Sequence, residues 1–296
     1  SLRILLEFVT TPYFTPQTVS KEQGIIGQEI KMYDDNPDWR VLFNLLKAMY
    51  VKHPIAIDIA GTVESIAEIT ADSLYETYHA FYNLHNMVLT VAGSFSPESV
   101  VRITDEVLRP ASQLHLERNF VEEPDQVAQK RIEQKFPVAA PMFALGLKVH
   151  PADPKTNVLR SIVNEIVNEV LAGDASPLYR RLYDGGLINA TFDSETDCGK
   201  DFSALIFSGE SKDPDRAAQE ILNEIERVRK EGISLEAFER GKKAVYSRYI
   251  RMLNRPDSIA NAMVGAHFSG LGLYDLLEAA ANATLEEAQR RLAEDY

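Results

Sequence analysis

Glu22 and Glu29, in "KEQGIIGQEIKMYDDNPDWR" (21–40), are the first residues whose type and spacing suggest chemistry. Seven residues make nearly two helical turns, so on a helix the two carboxylates share a face, rotated by only about 20°. Ile25, Ile26, Met32 and Tyr33 fall on the same stripe, which marks it as the expected inward face. An inward carboxylate must be paired, protonated or bound to a metal. Gly24 and Gly27 weaken this helix by about 1 kcal/mol each relative to alanine, and small residues admit a close backbone. Metal ligation is the chemistry on offer. Glu29, centred between Ile25/Ile26 and Tyr33, is the better ligand, and Glu22 suits a supporting hydrogen-bond role. The plainer alternative is a rotated helix with both acids solvated, since lone acids on helices are mostly surface residues.

A metal would need more donors. The histidines are His53, His79, His85, His115, His150 and His267. No pair has helical i, i+4 ligand spacing, and neither H-E-x-x-H nor H-x-x-E-H occurs. Each histidine alone reads as surface or satisfied core. The single cysteine, Cys198, has no Cys or His at ligand spacing. P-loop, dinucleotide and G-x-S-x-G motifs do not occur in the chain either. These residues amount to half a metal site at most.

The elements that must position the acids follow from periodicity. The pattern predicts a helix over 2–10, a turn at "TPYFTP", and a long helix from Val19 towards Tyr50, broken or kinked at "DDNPD" by Pro37. Residues 53–62 read as loop, 70–82 as a capped amphipathic helix, 86–94 as a buried strand and 96–108 as a helix opened by Ser-Pro. Charge and proline then gather over 109–129. Strands near 130–137 and 142–149 precede a helix over 156–172, then a turn and short helix over 173–188. Strands at 189–196 and 203–210 lead into helices at 214–231, 234–253, 257–270 and 284–294. "VLTVAGSFSPESVVRITDEVL" and "ALIFSGESKDPDRAAQEILNEI" form a weak internal repeat: strand, Gly, polar turn with Pro, amphipathic helix.

The 296 residues suit about two domains with real cores, and 45% hydrophobic content is ordinary for a globular protein. No apolar run approaches the ~20 residues of a membrane span, and no secretory leader pattern is visible. A net charge of −13 disfavours nucleic acid as a partner. One cysteine excludes an internal disulfide and suits a reducing compartment, so a cytoplasmic protein is the simplest expectation. Residue 1 is Ser and opens almost directly into a helix, so the chain is expected to be cut from something longer.

"PYFTPQTVSKEQGIIGQEIKMYDDNPDWR", "HPIAIDIAGTVESIAEIT" and "FYNLHNMVLTVAGSFSPE" together resemble the insulinase-type (M16) zinc peptidases, nearest to the bacterial processing-peptidase-like branch. The likeness is strong over 10–95 and looser beyond. It implies an α+β fold of two related domains of antiparallel sheet flanked by helices. Residues 1–118 would be the C-terminal part of a first, incomplete domain, 119–129 a linker and 130–296 the second. In that family an H-x-x-E-H helix supplies two histidine ligands and a glutamate base. A later glutamate is the third ligand, with another glutamate seven residues before it. "EQGIIGQE" matches that pair, which makes Glu29 the expected zinc ligand and Glu22 its hydrogen-bonded support.

The chain departs from the family in two places. No H-x-x-E-H lies within it, so zinc and peptide hydrolysis are expected of a longer protein and this chain is expected to be inactive. Relatives often carry Arg and Tyr in a "REKRGLAY"-like stretch that holds substrate backbone, whereas "LYDGGLINATF" (182–192) offers Tyr183 and Asn189. The expected partners are a peptide substrate and a second two-domain chain, either another copy or a paralogue. The rival expectation is a non-catalytic scaffold or peptide-binding subunit paired with an active partner. An unrelated helical interaction module would leave Glu22 and Glu29 unexplained.

Overall fold

Prolines and short polar side chains set most of the helix starts in the computed structural model, which describes residues 1–117 and 119–296. In chain order the first helices are α1 (Leu2–Thr10), α2 (Pro16–Asp34), α3 (Pro37–Met49), α4 (Val63–Ala67), α5 (Ala71–Phe81) and α6 (Pro97–Val107). Strand β1 (Met142–Val149) follows, then α7 (Pro154–Ala172), α8 (Pro177–Asp184), β2 (Asp193–Cys198) and β3 (Ser203–Glu210). The chain finishes with α9 (Pro214–Glu231), α10 (Leu235–Met252), α11 (Pro256–Phe268), α12 (Leu273–Asn282) and α13 (Leu285–Asp295). The fold class is α+β, helix-rich with a small antiparallel sheet of order β1-β3-β2.

Contacts divide the chain into two units: Ser1–Asn36 with Asp58–Asn119, and Pro37–Ile57 with Phe120–Tyr296. Pro37 makes the first division. It lacks an N–H to continue α2 and keeps Asn36 out of helical backbone. The long helix expected over Val19–Tyr50 is therefore two helices, and they belong to different units. Residues 37–57, grouped by sequence with the N-terminal part, pack on the sheet of the second unit. The reason lies in β3, whose residues Ser203–Phe207 are all buried. Side chains alternate across a strand. Phe207 therefore faces Ile162, Ile166 and Val167 of α7, while Ala204 and Ile206 face Phe43, Leu46 and Met49 of α3.

The close approach of α3 depends on Gly146 at the centre of β1. A Cβ there would overlap Met49 Sδ and stand 3.0 Å from Leu45 Cδ1. Below α3, the Glu123 carboxylate accepts from the backbone N–H groups of Val51 (2.8 Å), Lys52 (2.8 Å) and His53 (2.7 Å). Lys148 Nζ of β1 donates to the same carboxylate at 2.6 Å and to Pro124 O at 2.6 Å. Tyr50 Oη completes the joint by donating to Ser203 O at 3.2 Å.

Several expected elements differ. Residues 86–94 and 130–137 have no ladder partner among the described residues, so neither is a strand. An alternating apolar run becomes a strand only when another backbone accepts its hydrogen bonds. The internal repeat is accordingly realised as strand plus helix only in its second copy, β3–α9. β2 starts at Asp193 because Asn189 first turns the chain, its Oδ1 accepting from Thr191 N (2.9 Å) and Thr191 Oγ1 (2.6 Å). α12 is an addition to the sequence reading; Asp275 Oδ2 accepts from Gly272 N at 2.8 Å to cap it, and Leu276 and Ala280 are buried beneath it.

Gly146→Val is expected to destabilise the second unit by about 1–3 kcal/mol through overpacking, and Met49→Ala in the same chain to restore part of the loss. Chemical denaturation of the two single variants and the double variant measures this. For Glu123, burial opposes ionisation, but Lys148 and the three amide donors outweigh it and hold the carboxyl down at about 2. A depressed carboxyl contributes stability that is full above its unfolded value near 4.5 and is lost as pH falls towards 2. Glu123→Gln should therefore lower stability at neutral pH and flatten that acid limb, as read by thermal unfolding at a series of pH values.

Candidate functional site

α2 begins where Thr15 closes a capping box with Thr18: Thr15 Oγ1 accepts from Thr18 N at 3.1 Å and Thr18 Oγ1 from Thr15 N at 2.9 Å. Such reciprocal pairs satisfy donors the helix end leaves open. Val19, Gly27 and Ile30 are its buried residues. Between them Gln23 fixes the helix rotation: its Nε2 donates to Ile66 O (3.1 Å) and Ile69 O (2.8 Å), where α4 ends.

With that face turned inward, Glu22 and Glu29 lie exposed on another face, together as their spacing requires. Of the stripe expected to point inward, Ile25 (50%) and Met32 (59%) are exposed in this chain, while Ile26 and Tyr33 are half-buried. A Cβ on Gly24 or on Gly27 would meet no atom within 4 Å, so the packing shown gives neither glycine a reason. Glu29 Oε1 accepts from Tyr33 Oη at 3.5 Å, the outer limit for a hydrogen bond. α2 thus presents two carboxylates and two apolar side chains on its surface, while Gly27 lies on its buried face.

The histidines are scattered. His53 is buried; its Nδ1 accepts from Ile55 N at 3.1 Å and its Nε2 stands 3.1 Å from Asp201 Oδ2. His79 stacks on Tyr75, His85 Nε2 lies 3.3 Å from Ala111 O, His115 is 3.7 Å from Glu117 Oε1, and His150 is 3.5 Å from Asp125 Oδ1. His267 packs against Phe268. Among the described residues no group of three His, Cys, Asp or Glu side chains could hold a metal. A catalytic zinc takes three protein ligands and an open position. By their chemistry the carboxylates of α2 could supply one hard donor, and the residues present do not complete the set.

The stretch around Tyr183 and Asn189 has its own use. Asn189 Nδ2 donates to Glu210 Oε2 at 2.6 Å while its carbonyl oxygen holds the Thr191 turn, so the amide is spent inside the second unit. Tyr183 stacks on Tyr179 with ring centroids 5.6 Å apart and stays 47% exposed. Gln23 is the residue that sequence reasoning missed. A polar side chain among Val19, Ile26 and Ile30 was the available signal, but an apolar count discards it.

No helix among the described residues is long and apolar enough to cross a membrane. Residues 68–245 match a sequence model described as the peptidase M16 inactive domain. The chain is 37% identical over 300 aligned positions to a Bacillus subtilis (strain 168) protein named uncharacterized zinc protease YmfH, an alignment spanning 100% of this chain and 70% of that protein. An M16-like peptidase from Alicyclobacillus acidocaldarius superposes with TM-score 0.93 at 33% identity, over 99% of this chain and 71% of that one. A Helicobacter pylori protease shares the fold, with TM-score 0.85 at 19% identity, over 99% of this chain and 74% of that one.

Metal analysis of this chain, purified without chelator or affinity metal, should return well below one zinc per molecule. A tightly held equivalent would mean that the scattered histidines assemble after all.

Proposed function

The chain belongs to the M16 peptidase family, and from that premise we propose that it is the part of a zinc-dependent peptidase that contributes Glu29 as a metal ligand and a non-catalytic second domain. The observation that carries the reading is the open face of α2. Two carboxylates beside exposed Ile25 and Met32 offer a second helix both apolar contact and a metal donor on one face. Bound zinc would supply Lewis acidity and an activated water. Glu29 would balance part of its charge, and Glu22 would orient a group beside it. The remaining ligands and the base come from residues beyond this face.

On this reading the second unit helps enclose the substrate; the inactive-domain match, residues 68–245, runs from the first unit into it. Peptides or small proteins are the substrates this reading assigns, and a second two-domain chain, identical or paralogous, is the partner. The cytoplasm is the compartment that a single cysteine fits best. The same inactive-domain match favours the rival reading, a non-catalytic scaffold or peptide-binding subunit working beside an active partner.

Zinc content and cleavage of a quenched fluorescent peptide by the whole protein, expressed from its gene, separate these readings. Glu29→Gln keeps the shape and removes the charge, so zinc occupancy and activity should fall together. Glu22→Gln should act more mildly, within the 10–100-fold that supporting residues typically cost. Full occupancy and activity in Glu29→Gln would remove the ligand assignment. A parent protein with neither zinc nor activity would favour the scaffold.

A further inference from the structure

The helices around α2 recur later in the chain. α2 (19 residues), α3 (13) and α5 (11) are matched in order by α10 (18), α11 (13) and α13 (11). α3 and α11 both open on Pro-Asp, and α5 and α13 both follow a threonine, Thr70 and Thr284, that closes a capping box. The register that lays Pro37 on Pro256 pairs Gln23 with Lys242, Glu22 with Gly241 and Glu29 with Arg248. A hydrogen bond supports that pairing. Gln23 Nε2 donates to Ile69 O at 2.8 Å, and Lys242 Nζ donates to Ala283 O at 2.8 Å. Ile69 and Ala283 each stand immediately before the capping threonine. Two side chains of different chemistry make the same tie.

The second copy shows what the tie accomplishes. Gly241 lies against α7, where a Cβ would stand 3.0 Å from Ile166 O. Arg248, on the same face of α10, pairs with Glu169 and, at 3.7 Å, with Glu165, which are neighbours on one face of α7. With Lys242 tied to Ala283, the Gly241/Arg248 face is therefore turned onto a neighbouring helix. On α2 the matching face carries Glu22 and Glu29. Gln23 holds it more broadly, with Nε2 also 3.1 Å from Ile66 O and 3.4 Å from Ala67 O. The last carbonyls of a helix have no partner within it, so those at the end of α4 are ready acceptors for such a donor. A glutamine amide and a lysine ammonium both bring more than one N–H to them.

We propose that Gln23 is a positioning residue for Glu29. Its tie to the carbonyls of Ile66 and Ile69 sets the rotation at which α2 presents that carboxylate to a metal, and a lysine in its place does the same. The proposal rests on the reading of Glu29 as a zinc ligand and adds the group that aims the ligand. Groups that orient a ligand without touching the metal typically carry 10–100-fold in metal affinity.

Zinc affinity of the whole protein, expressed from its gene and measured by competition with a chromophoric chelator, reads the effect without peptide cleavage. Gln23→Ala should weaken zinc about tenfold or more. Gln23→Lys should hold zinc as the unsubstituted protein does. Thr15→Ala removes the cap of α2 and weakens the helix without touching the tie, so zinc affinity should stay unchanged. Should Gln23→Ala fail to fold, Gln23→Met keeps the length, removes the donors and should show the same loss. Unchanged affinity in a folded Gln23→Ala or Gln23→Met variant overturns the proposal. So does a Gln23→Lys variant as weak as Gln23→Ala, or an equal loss in Thr15→Ala, which would mean that helix stability alone is at work. In each of these cases a Glu29→Gln variant that still loses zinc leaves the ligand reading standing. A Glu29→Gln variant with full zinc, or a parent protein without zinc, removes the ligand reading and this proposal with it.

Discussion

β3 is central in its sheet, and a central strand with two apolar faces must be covered twice. α7 covers one side by the ordinary route, since it follows β1 directly and returns over the sheet. The other side is closed by residues that lie nearly a hundred positions before β1. That requirement brings α3 into the second unit and makes Gly146 a backbone contact point. It also explains why a carboxylate from residue 123 is buried against three amides at the end of α3. The amide cradle and Lys148 fasten the incoming chain to the covering helix and the covered strand at once. Without that second cover, Ala204 and Ile206 would face solvent.

Local signals and long-range packing leave different traces in a sequence. Prolines at 97, 154, 177, 214 and 256 and the caps beside them are local, and the corresponding helices begin where the sequence indicates. Periodicity over 203–210 is equally local and reports a strand buried on both faces. Residues 86–94 carry the same kind of apolar run, yet no ladder forms there among the described residues. Pairing is a property of two segments, and one segment cannot announce the other. α12 was hidden for a related reason. Its small residues, Ala279 to Ala281, carry little periodic contrast, and its start rests on Asp275 folding back to Gly272.

The acidic pair on α2 separates spacing from direction. Seven residues dictate that Glu22 and Glu29 share a face whatever surrounds them. Which way that face points was decided by Gln23, whose amide reaches the carbonyls where α4 ends. Apolar counting gives weight to Ile25 and Met32 and none to a glutamine, so it does not register the face that Gln23 holds. The resulting surface sets exposed Ile25 and Met32 beside the two carboxylates.

The polypeptide passes between its two units three times, after residues 36, 57 and 119. They are therefore interleaved in sequence: the second is assembled from an early hairpin-sized insert and a late continuous stretch. One scission near residue 119 leaves both pieces tethered through the crossings at 36 and 57. A chain begun at residue 130 would lack the insert and present half of its sheet bare. Evolutionary exchange of the second unit between proteins would likewise have to carry residues 37–57 along with it. In this chain the two units thus form one genetic block, although each has contacts of its own.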